Sequence, residues 1–404
     1  MALPQGINDA NFYQLIDWAL KIRGVASLED FFKRNPDYWF NEEIWKTLFP
    51  LEQYPNETRS FQQQIGQTYI PVMATYLADE AETPIITNEG IEKKTGEIPR
   101  MGNGYLFTAK NYEDARKIAA TYGIKQGADA VYEALFLDTR NLIQSIHAQR
   151  SFTAEQVESK GYYLSSKANN VGGFENFKID MNVPAINRKK AGGYGKPGYI
   201  HGTKYAWTDE NANPLGDLRD MWHYAWTMQV LPQDKENAVF RMNIATFEIL
   251  KGHPSTKAAI GLWKTGYLVS PENLPKVEVT DDDLARYMNG IGLPAIDTSK
   301  YFGFTNYLDE ATQKVMKNGL SAFADNTVVL RKKGTVGSFQ WYKVSNIFAT
   351  DSSRVYYTDR DSMAIQEDIA SKRSGLKMSI NSLCVPVPRA VQAMLYLTTN
   401  EAAA

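Results

Sequence analysis

The sequence predicts an α+β fold, and three observations carry the prediction. A well-signalled helix, an apolar strand and a second helix follow one another between Trp207 and Pro254; helical stripes cluster at 8–57 and 112–150; extended, turn-punctuated stretches fill 68–107 and much of the chain after 276. At 404 residues the chain has the length for two or three domains and a sizeable core. Its 43% hydrophobic and 22% charged content is that of a folded chain rather than a disordered one.

The stretch from Trp207 to Pro254 has the clearest signals. Asn213 can accept from the first exposed amides of a helix, and Pro214 has no N–H to leave orphaned at its first position. Leu215, Leu218, Trp222, Ala225 and Trp226 fall at helical spacing on one face, with Asp217, Arg219 and Asp220 assigned to the other. An apolar strand, Ala238 to Met242, leads to a second helix, Ile244 to Lys251, stopped by Gly252 and Pro254.

The order Trp207, Asp209, Asn211-Ala-Asn-Pro-Leu-Gly-Asp-Leu218, an amphipathic helix, a strand ending in Met242-Asn243, Ala245-Thr-Phe247, Leu250 and His253-Pro254 resembles the major capsid proteins of lambda-type tailed bacteriophages. Looser matches come later in the chain: Leu293-Pro-Ala-Ile-Asp297, a Tyr-rich stretch, Asp325 to Leu330 before a Gly turn, and the closing run from Ser379 to Leu397. The resemblance covers most of the chain from about residue 60. It implies a tailed-phage coat fold with an N-terminal arm (1–67), an extended β-hairpin loop or E-loop (68–107), a peripheral domain with a spine helix (108–206), an axial domain (207–350) and a C-terminal return to the peripheral domain (351–404).

Residues 8–57 read as short amphipathic helices divided by Pro36, Pro50 and Pro55. Phe12, Ile16, Ala19 and Leu20 form one stripe, Ser27 and Asp30 open a second helix, and Asn41 opens a last one carrying Ile44, Trp45 and Leu48. Helices this short bury little against each other, so they are expected to lie on another surface, their own body or a neighbouring subunit. From Thr68 to Phe107 the chain is extended, with a turn at Asn88-Glu-Gly90, and Ile91 to Glu97 shows no apolar face. A hairpin with so little apolar surface is not stable alone. It is either the E-loop of the resemblance or a mobile surface hairpin.

One helix is expected at Tyr112–Tyr122, ended by Gly123, and a longer one carrying Val131, Leu135, Leu142 and Ile146 runs to about Arg150. From 165 to 207, Gly- and Asn-rich sequence predicts short strands joined by long loops. Further strands are expected at Lys276–Val279, Ala322–Arg331 and Phe339–Phe348, with a turn at Gly334-Thr-Val-Gly337.

Charge narrows the partners. With 44 basic and 46 acidic residues, a net charge of -2 and no run of Lys or Arg, the chain lacks the concentrated positive surface of a nucleic-acid-binding arm. Aromatics reach 12%, including 23 Tyr and 8 Trp, which suits subunit interfaces and large cores alike. The single cysteine, Cys384, cannot form an intrachain disulfide and suits a reducing cytoplasm. The N-terminus has no secretory pattern and no segment reaches bilayer-spanning length, so neither secretion nor membrane embedding is expected.

The search for chemistry returns no catalytic, cofactor-binding or metal-ligating residues. His147, His201, His223 and His253 form no metal-binding pair, and His253 is read as bonding a terminal helix carbonyl. Gly193-Tyr-Gly-Lys-Pro-Gly198 matches a dinucleotide fingerprint in letters, but the run from Tyr199 to Trp207 reads as extended rather than helical, so the glycines are assigned to a loop. Asp281-Asp-Asp283 is read as complementing a helix dipole rather than holding a cation. Asn56-Glu-Thr58 is a glycosylation sequon in pattern only. Lys93 and Lys94 have no catalytic acid or acceptor that would make them a cross-link, and are read as solvated.

The resemblance therefore implies a structural protein and not an enzyme: a subunit that assembles with itself into hexamers and pentamers of an icosahedral head enclosing double-stranded DNA. Scaffold, portal and decoration proteins are its further implied partners, with non-specific proximity to packaged DNA, no membrane and no cofactor. Its implied location is the virion capsid, assembled in the host cytoplasm. An encapsulin-like shell enclosing cargo enzymes shares the implied fold and is the alternative; an ordinary soluble enzyme is a third reading, weakened by the lack of a convergent site.

Overall fold

The computed structural model describes residues 21, 24, 44–65, 92–108, 113–114, 117, 124–170, 176–184, 187–189, 203, 205–227, 230–231, 234–309, 314–344, 354–358, 362–369, 375–389 and 391–400. In chain order the regular elements begin with α1 (Ile44–Leu48), β1 (Ser60–Ile65), β2 (Glu92–Glu97), β3 (Arg100–Thr108), α2 (Ile124–Lys160), β4 (Tyr162–Leu164), β5 (Lys178–Asp180) and β6 (Arg188–Lys189). Next come α3 (Pro214–Thr227), β7 (Ala238–Asn243), α4 (Ile244–Gly252), α5 (Pro254–Thr265), α6 (Asp281–Gly290), β8 (Ala295–Ser299), β9 (Phe302–Asp309) and β10 (Lys314–Ser321). The chain closes through β11 (Thr327–Lys332), β12 (Gly337–Trp341), β13 (Arg354–Thr358), β14 (Met363–Ile369), β15 (Gly375–Pro388) and β16 (Leu395–Thr398). The helices accompany sheets whose strand pairings are mostly antiparallel, so the class is α+β.

The chain divides into two compact units. One comprises Met1–Phe61, Thr95–Ser151 and Phe339–Pro386; the other Gln62–Lys94, Phe152–Ser338 and Val387–Ala404. In the first, β15 is the central strand: β3 pairs along it from Thr108 opposite Gly375 to Arg100 opposite Leu383, and β14 pairs on it with Ile365 opposite Ile380. β13 continues beyond β14, and β12 also pairs with β15. Trp45 and Phe49 meet Phe339 edge-on at 5.5 and 6.1 Å. Trp45 also stacks on His147 and donates its indole N–H to Nδ1 at 3.1 Å. Arg150 is buried beneath, its guanidinium over the Trp45 ring and bonded to the hydroxyls of Ser362 and Ser382.

The second unit is built on a five-stranded sheet in the order β6-β16-β11-β7-β8. β11 runs antiparallel to β7 and β16, while β7–β8 and β16–β6 are parallel. All six residues of β7 are buried, as a central strand covered on both faces requires. Its core joins Leu215, Leu218, Met221, Trp222 and Ala225 of α3 to Phe240, Met242, Val328, Leu330, Leu395 and Leu397 of the sheet. Each buried Leu or Phe contributes about 1.5–3 kcal/mol relative to exposure.

Local signals place α3 as read: the Gly216 amide donates to Asn213 Oδ1 at 3.1 Å, with Pro214 in the first turn. Asp217 does not lie on a solvent face. It is buried and accepts the Trp207 indole N–H at 2.8 Å, so the helix turns this carboxylate inward to satisfy a buried donor. The helix expected to stop near Arg150 runs on to Lys160 and ends at Gly161, whose φ is 69°. Ser151, Phe152 and Thr153 lower the local propensity, but residues 151–159 are all buried, and packing overrides the preference.

Lys276–Val279 is not a strand. A 3-10 turn covers Pro271–Lys276, and Val277 stands with Val269 against Gly261, so the alternating pattern packs on a helix instead of pairing in a ladder. The run 322–331 begins its strand only at Thr327, after Asn326 adopts a φ of 52°. The strand expected over 339–348 ends at Trp341 and begins at Gly337; residues 345–348 lie outside the described residues. The hairpin β9–β10, the pair β13–β14 and the helix α5 were not anticipated. Strand β1 falls ahead of Thr68, pairs with β2, and lays the Phe61 ring where a Cβ on Gly96 would have no room. The helices expected at 8–32, the segment Tyr69–Gly90 and most of Tyr112–Gly123 lie outside the described residues.

Candidate assembly surface

Among the described residues, the largest group of exposed apolar side chains that neighbouring elements bring together belongs to α5, the turn after it and α6. His253 starts α5: its Nδ1 accepts the Ser255 amide while its Nε2 donates to the Asp209 carbonyl at 3.0 Å, and Pro254 fits the first turn. This corrects its expected role: His253 stands at the C-cap of α4, but its imidazole bonds Ser255 of the following helix and the Asp209 carbonyl instead of a terminal carbonyl of α4. The helix stops at Gly266, whose φ of 73° suits glycine and whose amide returns to the Leu262 carbonyl. Thr256, Ile260 and Gly261 face inward, so at helical spacing Leu262 and Trp263 face out.

Past Gly266 the chain exposes two more large apolar side chains. Tyr267 is 80% exposed and Leu268 87%, and Ile291 at the end of α6 is also open. Trp263 is 48% exposed and meets Tyr287 of α6 edge-on at 6.1 Å, which ties the two helices into one surface. A single exposed leucine needs no explanation, but several adjacent ones mark an interaction surface.

Charged groups rim this surface. α6 opens with a reciprocal capping box in which Thr280 accepts the Asp283 amide and the Asp283 carboxylate accepts the Thr280 amide. Lys264 of α5 also bonds Asp283, and these bonds, Lys264 foremost, hold its carboxyl down at about 2. Lys251 bridges Glu248 and Asp281, and Arg286 pairs with Asp282. The three aspartates are thus occupied by a cap and by cations of the same unit. Among the described residues no group of three or more His, Cys, Asp or Glu is placed to hold a metal ion.

The remaining sequence-flagged residues are dispersed. His147 packs on Trp45, His223 is exposed on α3 beside Trp226, and Cys384 is buried in β15. Asn56 bonds the Ser60 carbonyl and Gln340. Lys93 and Lys94 are in β2; His201 and Gly193–Gly198 lie outside the described residues. No helix among the described residues is long and apolar enough to cross a membrane.

Sequence reasoning missed the α5–α6 surface, although Leu262-Trp263 and Tyr267-Leu268 on either side of Gly266 are a legible apolar cluster. It also missed a buried ionic cluster in the same unit. Arg241 of β7 reaches Glu155 at 3.2 Å, Glu158 at 3.3 Å and Asp297 at 2.8 Å, and Arg331 of β11 reaches Glu158 at 2.5 Å. Burial alone would raise Glu158, but the two guanidiniums outweigh it and hold its carboxyl below the ordinary value. These partners are far apart in sequence, and no local pattern announces them.

No family model matches the chain, and no curated protein matches it. Several solved structures are similar over most of its length. A prophage protein of Escherichia coli provisionally assigned as its capsid protein shares 12% identity, with 96% of this chain and 99% of that one covered and a TM-score of 0.46. A phage-related protein of Bordetella bronchiseptica shares 12% identity over 96% of both chains, with a TM-score of 0.42. A chain of the capsid of cyanophage P-SCSP1u shares 12% identity over 88% of both, with a TM-score of 0.38. At these scores the likenesses decide nothing about what this chain does.

Proposed function

We propose that this chain is a major capsid subunit that assembles with itself into the hexamers and pentamers of an icosahedral tailed-phage head around double-stranded DNA. The observation that carries self-assembly is the open apolar surface of Leu262, Trp263, Tyr267, Leu268 and Ile291, five of the exposed large apolar side chains of the second unit, set on two packed helices and the turns that follow them. The motif from Trp207 to Pro254 supports the kind of assembly. Its polar groups are used for architecture: Asn213 and His253 cap helices, Asp217 bonds Trp207, and Asn243 caps α4.

In this reading the five segments are an arm (1–67), an E-loop (68–107), a peripheral domain (108–206), an axial domain (207–350) and a C-terminal return (351–404). The subunit acts mechanically and performs no catalytic step. Many weak contacts engaged together make a closed shell stable without any single strong interface. Scaffold, portal and decoration proteins are its further partners, the packaged DNA is approached without sequence readout, and assembly takes place in the host cytoplasm.

Electron microscopy of the purified protein, alone and with a candidate scaffold, tests this. Capsomers or shells are expected from the wild type, and a Trp263→Ser, Tyr267→Ser, Leu268→Ser variant is expected to stay folded while forming far fewer. A small monodisperse oligomer under all conditions would overturn the reading. Protein cargo in place of nucleic acid would indicate a compartment shell.

A further inference from the structure

The ionic cluster of the second unit contains three carboxylates and two guanidiniums. Glu158 takes both arginines: Arg331 Nε at 2.5 Å, and Arg241 through Nε at 3.3 Å and a terminal nitrogen at 3.4 Å. Asp297, on the edge strand β8 and largely exposed, takes the shortest Arg241 contact at 2.8 Å. Glu155 is left with one bond, at 3.2 Å, from a guanidinium already shared three ways. Its other oxygen lies 2.5 Å from the Ser299 hydroxyl, and its side chain is fully buried.

A hydroxyl is the one partner in this cluster that serves both states of a carboxyl group. It donates to a carboxylate and accepts from a carboxylic acid. The remaining charges face the site from identified elements: Glu158 one turn along the same helix, Arg241 from β7, Asp297 from β8, and Arg331 from β11 through Glu158.

We propose that Glu155 is a proton-binding site, neutral and hydrogen-bonded to Ser299 when the end of α2 is clamped to β7 and β8, and that losing this proton loosens the clamp. Deprotonation would place a second buried negative charge beside Glu158, with no unshared cation to answer it. Consistent with this, burial raises Glu155 from 4.5 to about 7, with Glu158 and Asp297 adding to the rise and Ser299 and Arg241 opposing it. Between those values the folded chain holds a proton that the unfolded chain has released. Stability therefore falls as pH rises through that window and levels above it. The inference goes beyond the coat reading and stands whether or not the chain forms a shell.

The test is thermal unfolding of the full chain from about pH 5 to 9, wild type against Glu155→Gln. The wild-type midpoint is expected to fall across about pH 5 to 7.5. The glutamine variant, which keeps a partner for Ser299 and has no proton to lose, should lack that part of the fall and exceed the wild type above pH 8. Every other group is common to both chains and cancels in the difference. Parallel wild-type and variant profiles would overturn the proposal. If the variant does not fold, infrared spectra of the wild type decide: a carboxylic-acid carbonyl band present near pH 6 and lost by pH 9 is expected, and no such band near pH 6 overturns it.

Discussion

Asp217 shows what a single residue can conceal. By position it belongs with Arg219 and Asp220 on the polar side of α3, yet it is buried and accepts the Trp207 indole. Replacing it by Ala strands a buried N–H, and Asp217→Ala is expected to cost about 1–3 kcal/mol in denaturant unfolding. Asp217→Asn, which still offers an oxygen, should cost less. The helix was legible because Asn213 and Pro214 act on their own neighbours. The bond was not, because it joins residues ten apart across a turn. The ionic cluster is the extreme case: Glu158 and Arg331 are 173 residues apart, and each alone reads as an ordinary surface charge.

Among elements, α2 departs furthest from its sequence signals. Its last residues, Ser151 to Lys160, are polar enough to suggest a helix end, and they persist because sheet residues receive them: Arg241 and Ser299 bond Glu155, and the Gln156 amide donates to the Ala322 carbonyl. What ends it is Gly161, in a left-handed conformation where an added Cβ would run into Val183. Gly161→Ala is expected to cost at least about 1–2 kcal/mol from backbone strain alone, read as a lowered thermal midpoint. Strands were less legible than helices. Lys276–Val279 alternates as a strand should, but among the described residues no strand pairs with it, and pairing is decided by distant chain.

For the whole molecule, the sequence conveyed the α+β class and the α3–β7–α4 succession, which rest on caps and periodicity. Exposure of the α5–α6 surface became visible only in the fold, since whether a Trp faces a core or solvent depends on what else covers it. The hairpin obeys the same logic. Deleting Glu89–Gly96 removes most of β2 and leaves β1 without its strand partner, yet no described residue of the deleted run belongs to the core around α3 and β7. A cooperative thermal transition is expected to survive the deletion while shells disappear from electron micrographs; loss of the transition would place the hairpin in the core. One further feature reaches across the whole chain. Its only thiol, Cys384, is fully buried in the middle of the long central strand β15. A thiol-reactive dye can therefore modify the protein only when that strand opens, so the labelling rate is a clock for the opening of the first unit, built in at a single known position and needing no engineered probe.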